Sequence, residues 1–281
     1  MRVAARQEGP VRGGAPATTA IGYVAAFIVA ELIGLGSPLA GTICDGVLML
    51  ALINHYAMTE RDHRQPVLLG LAVVCLYRAL ALTPTHGNDP VVAHALWVGI
   101  PALAGTCLAL RLVRDPHSGG AGIMDLRPPR RAGGWAAQYL IAVSGIPLSY
   151  AAYRLFRPAS TIIITGAHAA KGSEILGGIV VLAIFSGLLE ELLFRGLVHE
   201  AARSAFGGSG LYFSAAIFGA AYIGTGSVII IAFVVAVGAF FGWCYERTES
   251  VLGVAIAHAI ISIGVFMVWP SIGTNLLHLH F

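Results

Sequence analysis

One stretch of this 281-residue chain holds ionisable groups where they are hardest to keep. Ser186-Gly187-Leu188-Leu189-Glu190-Glu191-Leu192-Leu193-Phe194-Arg195-Gly196 sets two acids and a guanidinium inside an apolar run. Glu191 and Arg195 are four apart, so on a helix they face each other across one turn and can pair. Glu190 lies about 100° round the helix and has no local partner. A partly desolvated carboxylate of this kind is a candidate general base, able to take a proton from water. The competing reading is a set of structural salt bridges near one end of a helix.

The elements that hold these residues follow from composition. Hydrophobic residues make up 57% of the chain and charged ones 11%, against about 25% charged in soluble domains. That excludes a soluble enzyme, a disordered chain and a nucleic-acid binder. Apolar runs predict an all-α, polytopic membrane helix bundle of eight to nine transmembrane helices, at about 20–37, 39–58, 67–83, 91–112, 135–156, 175–199, 211–224, 228–245 and 251–269. Residues 1–19 read as a flexible cytoplasmic N-tail, 20–112 as four N-terminal helices, 113–134 as a cytoplasmic loop and 135–281 as the C-terminal helices. Of the 17 Lys and Arg residues, 12 fall on one side of this bundle and three, Arg154, Arg157 and Lys171, on the other. Positive loops stay inside. The expectation is an integral protein of the plasma (inner) membrane with a cytoplasmic N-terminus. Cys44, Cys75, Cys107 and Cys244 sit singly in apolar runs and read as packing residues rather than disulfides.

Depth singles out further residues. Glu190 lies about 10 Å below the cytoplasmic end of the sixth span, and His258 about 10 Å below the same face in the ninth. In the seventh, Phe218 lies about 10 Å and Tyr222 about 16 Å in. Glu190 and His258 thus share a layer that Tyr222 approaches. Glu31, Asp45 and Arg78, the other charges within spans, read as helix–helix pairing groups. His199 reads as an interfacial residue beside Glu200.

The C-terminal half resembles the CPBP (Abi) family of CAAX prenyl endopeptidases and bacteriocin-processing proteins. Its E-E-x-x-x-R helix stands here as Glu190-Glu191-Leu-Leu-Phe194-Arg195. F-x-x-x-H aligns with Phe218-Gly-Ala-Ala-Tyr222, and H-x-x-x-N with His258-Ala-Ile-Ile-Ser262. The turn Gly242-Trp-Cys-Tyr245-Glu-Arg247-Thr-Glu-Ser250 is also similar. The likeness covers about 175–265. It implies an intramembrane endopeptidase that cleaves a membrane-associated peptide or protein. Glu190 would activate water, His258 and Ser262 would stabilise the oxyanion, and Glu191, Arg195 and Phe218 would support the site. Two positions depart from the motif: Tyr222 replaces a histidine and Ser262 an asparagine. A phenol ionises only near pH 10, so Tyr222 can donate a hydrogen bond but is a poor base.

No cofactor is certain. A divalent metal such as zinc would be under-liganded, since Glu190 and His258 alone fall short of three protein ligands. The alternative function is a catalytically impaired scaffold that holds a membrane-protein partner in the same cavity. A cavity containing Glu190, Tyr222 and His258, open to the cytoplasmic leaflet, is the expected structural sign of either. Gly207-Gly208-Ser209-Gly210 has the G-x-S-G form of rhomboid serine proteases, followed by His258 in a later span, and reads equally well as a glycine-rich loop.

Overall fold

The computed structural model describes residues 15–59, 65–83, 90–113, 134–158, 161–162 and 170–272. Most of the expected N-tail (1–19) and of the expected loop (113–134) lies outside the described residues. Among the described residues the regular elements are all helical, without strands.

The helices α1 (Ala15–Gly36) and α2 (Pro38–Met58) are joined by the single residue Ser37. Ser37 is extended, its hydroxyl accepts from Ala40 N–H at 3.3 Å, and Pro38 opens the next helix. A proline there gives up an N–H that has no helical partner. Next come α3 (Pro66–Ala81), α4 (Pro90–Val113) and α5 (Gly134–Phe156). α6 is continuous over 172–206, seven residues beyond the expected end at 199. It stops at Gly207, whose φ of +60° is open to glycine. α7 (Gly210–Ala220), α8 (Val228–Thr248) and α9 (Leu252–Ile272) complete the bundle.

Among the described residues six segments are long and apolar enough to cross a membrane, with 172–225 counted as one. Nine crossings require α3, α5 and α7 as well, and eight require two of these three. α3 has 16 residues and α7 only 11, about 24 and 17 Å of helix. The outer surface carries Leu39, Ile43, Val47 and Leu50, each more than half exposed along one stripe of α2. Lipid is the solvent that such a stripe requires.

Side-chain contacts fix the direction of each helix. Gly70 of α3 lies against Val198 of α6, while Tyr77 reaches Glu190, so these two run antiparallel. Gln138 meets Gly253 and Ser149 meets Gly264, so α5 and α9 run parallel. Gly178 meets Met267 and Ser186 meets Ser262, so α6 and α9 run antiparallel. A Cβ on Gly187 would stand 2.7 Å from the Cβ of Ala259. Only glycine lets α6 approach α9 this closely.

Two ends of the bundle result. One carries Pro66, Val113, Gly134, Phe206, Thr248 and Leu252; the other carries Ala81, Pro90, Phe156, Gly172 and Ile272. Near the latter end, Arg78 of α3 grips Glu31 of α1 through two bonds of 2.7 and 2.8 Å. That fulfils the pairing expected for these two residues. Asp45 departs from it: the residue is fully buried, and neither carboxylate oxygen has a partner among the described residues.

Candidate active site

The backbone of α6 is unusual where the two acids lie. Leu182–Leu188 and Leu192–His199 are wound with i→i+5 bonds, on either side of a three-residue α-helical stretch, Leu189–Glu191. Such π turns shift the side chains that follow them round the axis and recur at functional sites. Here both glutamates reach the same histidine. Glu191 Oε1 lies 2.7 Å from His258 Nδ1, and Glu190 Oε2 lies 3.7 Å from His258 Nε2.

Arg195 occupies the other side of Glu191. Its Nη1 donates to Oε1 at 3.2 Å, and its Nε lies 3.0 Å from Oε2. Nη2 donates to the Gly238 carbonyl at 3.2 Å. The guanidinium also sits 4.9 Å over the Phe218 ring and 5.6 Å from the Phe241 ring. This cation is therefore held by ionic, hydrogen-bonding and aromatic contacts in a place with 2% exposure.

The pairing determines how His258 presents its ring. A carboxylate held by Arg195 can only accept, so the Nδ1 facing Glu191 carries a proton. That orients Nε2 toward Glu190, in the way a buried acid sets the tautomer of a neighbouring imidazole.

Glu190 is not left unpartnered. The Tyr77 hydroxyl donates to its Oε1 at 3.0 Å. Tyr77 belongs to α3 and does not figure in the sequence reading. Its depth of about 16 Å, counted from Pro66, matches that of Tyr222 and was a usable signal. Ser186, which opens the quoted stretch but has no role assigned to it there, shares a 2.6 Å hydrogen bond with Ser262.

Glu190, His258, Tyr222 and Ser262 converge on one cavity of about 470 Å³, joined by Tyr77, His94 and Ser186. Its other walls are apolar and include Val98, Phe185, Ile261 and Phe266. Tyr222 is set by edge-to-face contacts with Phe156 at 5.7 Å and Phe218 at 5.8 Å. Phe218 in turn stands edge-on to His258 at 6.1 Å. The cavity lies between the acid layer and the Pro90–Gly172 end.

The donor set does not fit a metal. Among the described residues no group of three or more His, Cys, Asp or Glu is placed to hold one. Glu191 is already engaged by Arg195 and His258.

Other expected features lie elsewhere. Ser209 Oγ is exposed and donates to the Phe206 carbonyl at 2.8 Å, capping α6 rather than meeting His258. His199 is buried, not interfacial, and its Nε2 lies 3.2 Å from Glu246, which Arg203 also holds at 2.6 Å. The four cysteines are unpaired, and Cys75 and Cys244 are buried.

Residues 172–264 match the family model of the type II CAAX prenyl endopeptidase Rce1-like proteins. No curated protein matches the chain, and no solved structure does. The family match covers a third of the chain and contains Glu190, Glu191, Arg195, Phe218, Tyr222, His258 and Ser262. It bears out the CPBP resemblance and gives the kind of protein that this region is similar to, a CAAX-type intramembrane protease. Tyr77 and His94, which complete the cavity, lie outside the matched segment.

Proposed function

We propose that the protein is an intramembrane endopeptidase that hydrolyses a peptide bond with a water activated by Glu190. The observation that carries this reading is the convergence of Glu190 and an oriented His258 on one cavity. Glu190 takes a proton from water as the water oxygen bonds to the carbonyl carbon. The tetrahedral oxyanion is stabilised by donors around it, for which Tyr222 and Ser262 line the cavity, joined by His258 when its Nε2 is protonated as well as Nδ1. The C–N bond then breaks, and Glu190 returns the proton to the leaving amine. Tyr77 holds Glu190 in place through Oε1. The substrate is a membrane-associated peptide or protein.

Tyr222 tests this reading against the partner-binding scaffold. A histidine at this position adds a group that can move protons near neutrality. Tyr222→His is expected to raise cleavage of a quenched fluorescent peptide library by the purified protein in detergent. A single well-placed acid–base group contributes about 10²- to 10⁴-fold. If neither wild type nor Tyr222→His cleaves any peptide while both remain folded, the scaffold replaces the enzyme.

A further inference from the structure

The rung beside the acid layer holds a second pair of side chains. Ser186 stands four residues before Glu190 on α6, and Ser262 four residues after His258 on α9. Because the two helices run antiparallel, the packing that brings Glu190 to His258 also brings Ser186 to Ser262, about 6 Å further along α9. The two hydroxyl oxygens lie 2.6 Å apart. Side chains this short meet across helices only where the backbones come close. Gly187, packed against Ala259, supplies that approach.

Two hydroxyls carry two hydrogens, and one of these lies between the oxygens. The other has no acceptor among the described residues, since neither serine hydroxyl has a further partner there. Serines elsewhere in the bundle behave differently. Ser144 and Ser149 on α5 and Ser271 on α9 each turn the hydroxyl back to a carbonyl three or four residues earlier, at 2.6 to 2.7 Å. A lone helical serine commonly does so. Ser186 and Ser262 bond to each other instead, and both line the cavity. The spare hydrogen is thus available to an oxygen placed in that cavity. A hydroxyl that accepts one hydrogen bond is also polarised into a stronger donor of the next. Either serine can be the one that accepts, and either order leaves one polarised O–H.

We propose that Ser186 and Ser262 act together as one donor to the oxyanion, which makes Ser186 a further residue of the site and lets two serines do the work of one side-chain amide. The inference rests on the endopeptidase reading and adds a residue on the same helix as the base. Base and donor then occupy adjacent rungs, with water at Glu190 and the carbonyl oxygen at the serines. As the water oxygen bonds to the carbonyl carbon, negative charge develops on the carbonyl oxygen, and the spare O–H bonds to it more strongly than to the uncharged carbonyl. The serine keeps its hydrogen throughout. When the C–N bond breaks, the carbonyl re-forms and the hydrogen bond weakens again.

The test is hydrolysis of a quenched fluorescent peptide in detergent by the purified full chain, as wild type, Ser186→Ala, Ser262→Ala and the double variant. Removing either serine leaves the other alone on its helix, where it turns back to a carbonyl. Each single variant is expected to lose about 10²-fold in kcat, with KM and melting temperature retained. The double variant is expected to lose no more than a single one. Ser262→Asn brings N–H donors of its own, so Ser186→Ala/Ser262→Asn should recover most of the rate that Ser186→Ala loses. A merely structural role for Ser186 gives no such recovery and overturns the proposal. Should Ser186→Ala not fold, Ser186→Cys, close in shape and only a weak donor, takes its place. A folded Ser186→Ala protein with the wild-type kcat overturns the pair and leaves the endopeptidase standing. So does a loss confined to KM. A double variant whose loss is the product of the single losses, about 10⁴-fold, also overturns it, because two independent donors would then be at work. Cleavage by none of these proteins, wild type included, removes the endopeptidase reading and this inference with it.

Discussion

Two buried clusters in this molecule have the same ingredients and different outcomes. In the N-terminal helices, Arg78 grips Glu31 through two bonds and Asp45 is left over. In the C-terminal region, Arg195 grips Glu191 and Glu190 is left over. Asp45 is sealed, fully buried and without a partner among the described residues. Glu190 lines a cavity, accepts from Tyr77 and lies 3.7 Å from an imidazole that Glu191 orients. An arginine–acid pair in a membrane thus says little about chemistry by itself. What distinguishes the second cluster is room for a reactant beside the spare acid, and further polar side chains that line the same cavity. The two clusters meet on α3, where Tyr77 turns to the cavity and the adjacent Arg78 to Glu31.

The comparison can be broken first at its arginines. Arg195→Ala leaves Glu191 buried and without its cation, at a cost of about 3–5 kcal/mol. A large drop in the temperature at which the purified protein loses its monodisperse elution is expected. Arg78→Ala should cost less, because the Arg78 side chain keeps 14% exposure where that of Arg195 has 2%. Equal melting temperatures for the two variants would remove the distinction between a sealed and a partly solvated pair.

Tyr77→Phe probes the spare acid of the active cluster. A hydrogen bond to a charged group is worth about 1.5–3 kcal/mol, so hydrolysis should fall by roughly 10- to 100-fold. The loss belongs in kcat, with KM little changed, because Tyr77 acts through Glu190. A loss confined to KM would make Tyr77 a substrate contact instead. The smallest effect is expected at the spare acid of the other cluster. Asp45→Leu removes a buried polar group with no partner and should stabilise the protein by about 1 kcal/mol. Destabilisation would mean that Asp45 is held by something outside the described residues.

Much of the active cluster was legible because helical spacing and depth are simple arithmetic. The four-residue step from Glu191 to Arg195 appears as a pair, and the shared depth of Glu190 and His258 as proximity. The π winding on either side of Leu189–Glu191 was not legible, since no residue type demands it. The sequence assigns only one glutamate to the histidine, whereas in the structure both reach it. Tyr77 and Ser186 escaped notice because an uncharged side chain in a span raises no alarm. His199 was misread because Glu200 is its neighbour in sequence, whereas Glu246, on the adjacent α8, is its partner in space. Asp45 was expected to pair like Glu31, yet both bonds from Arg78 go to Glu31 and neither carboxylate oxygen of Asp45 has a partner among the described residues.

The central claim is that Glu190, rather than any other group in this layer, takes the proton from water. It is tested most directly by comparing the rate at which wild type and Glu190→Gln cleave the same quenched peptide in detergent. Folding of both is verified by elution and melting. The substitution keeps the size and the Tyr77 contact while removing the base. The account predicts a fall in kcat of about 10²-fold or more, with the melting temperature retained. A folded Glu190→Gln protein that cleaves at the wild-type rate would contradict it.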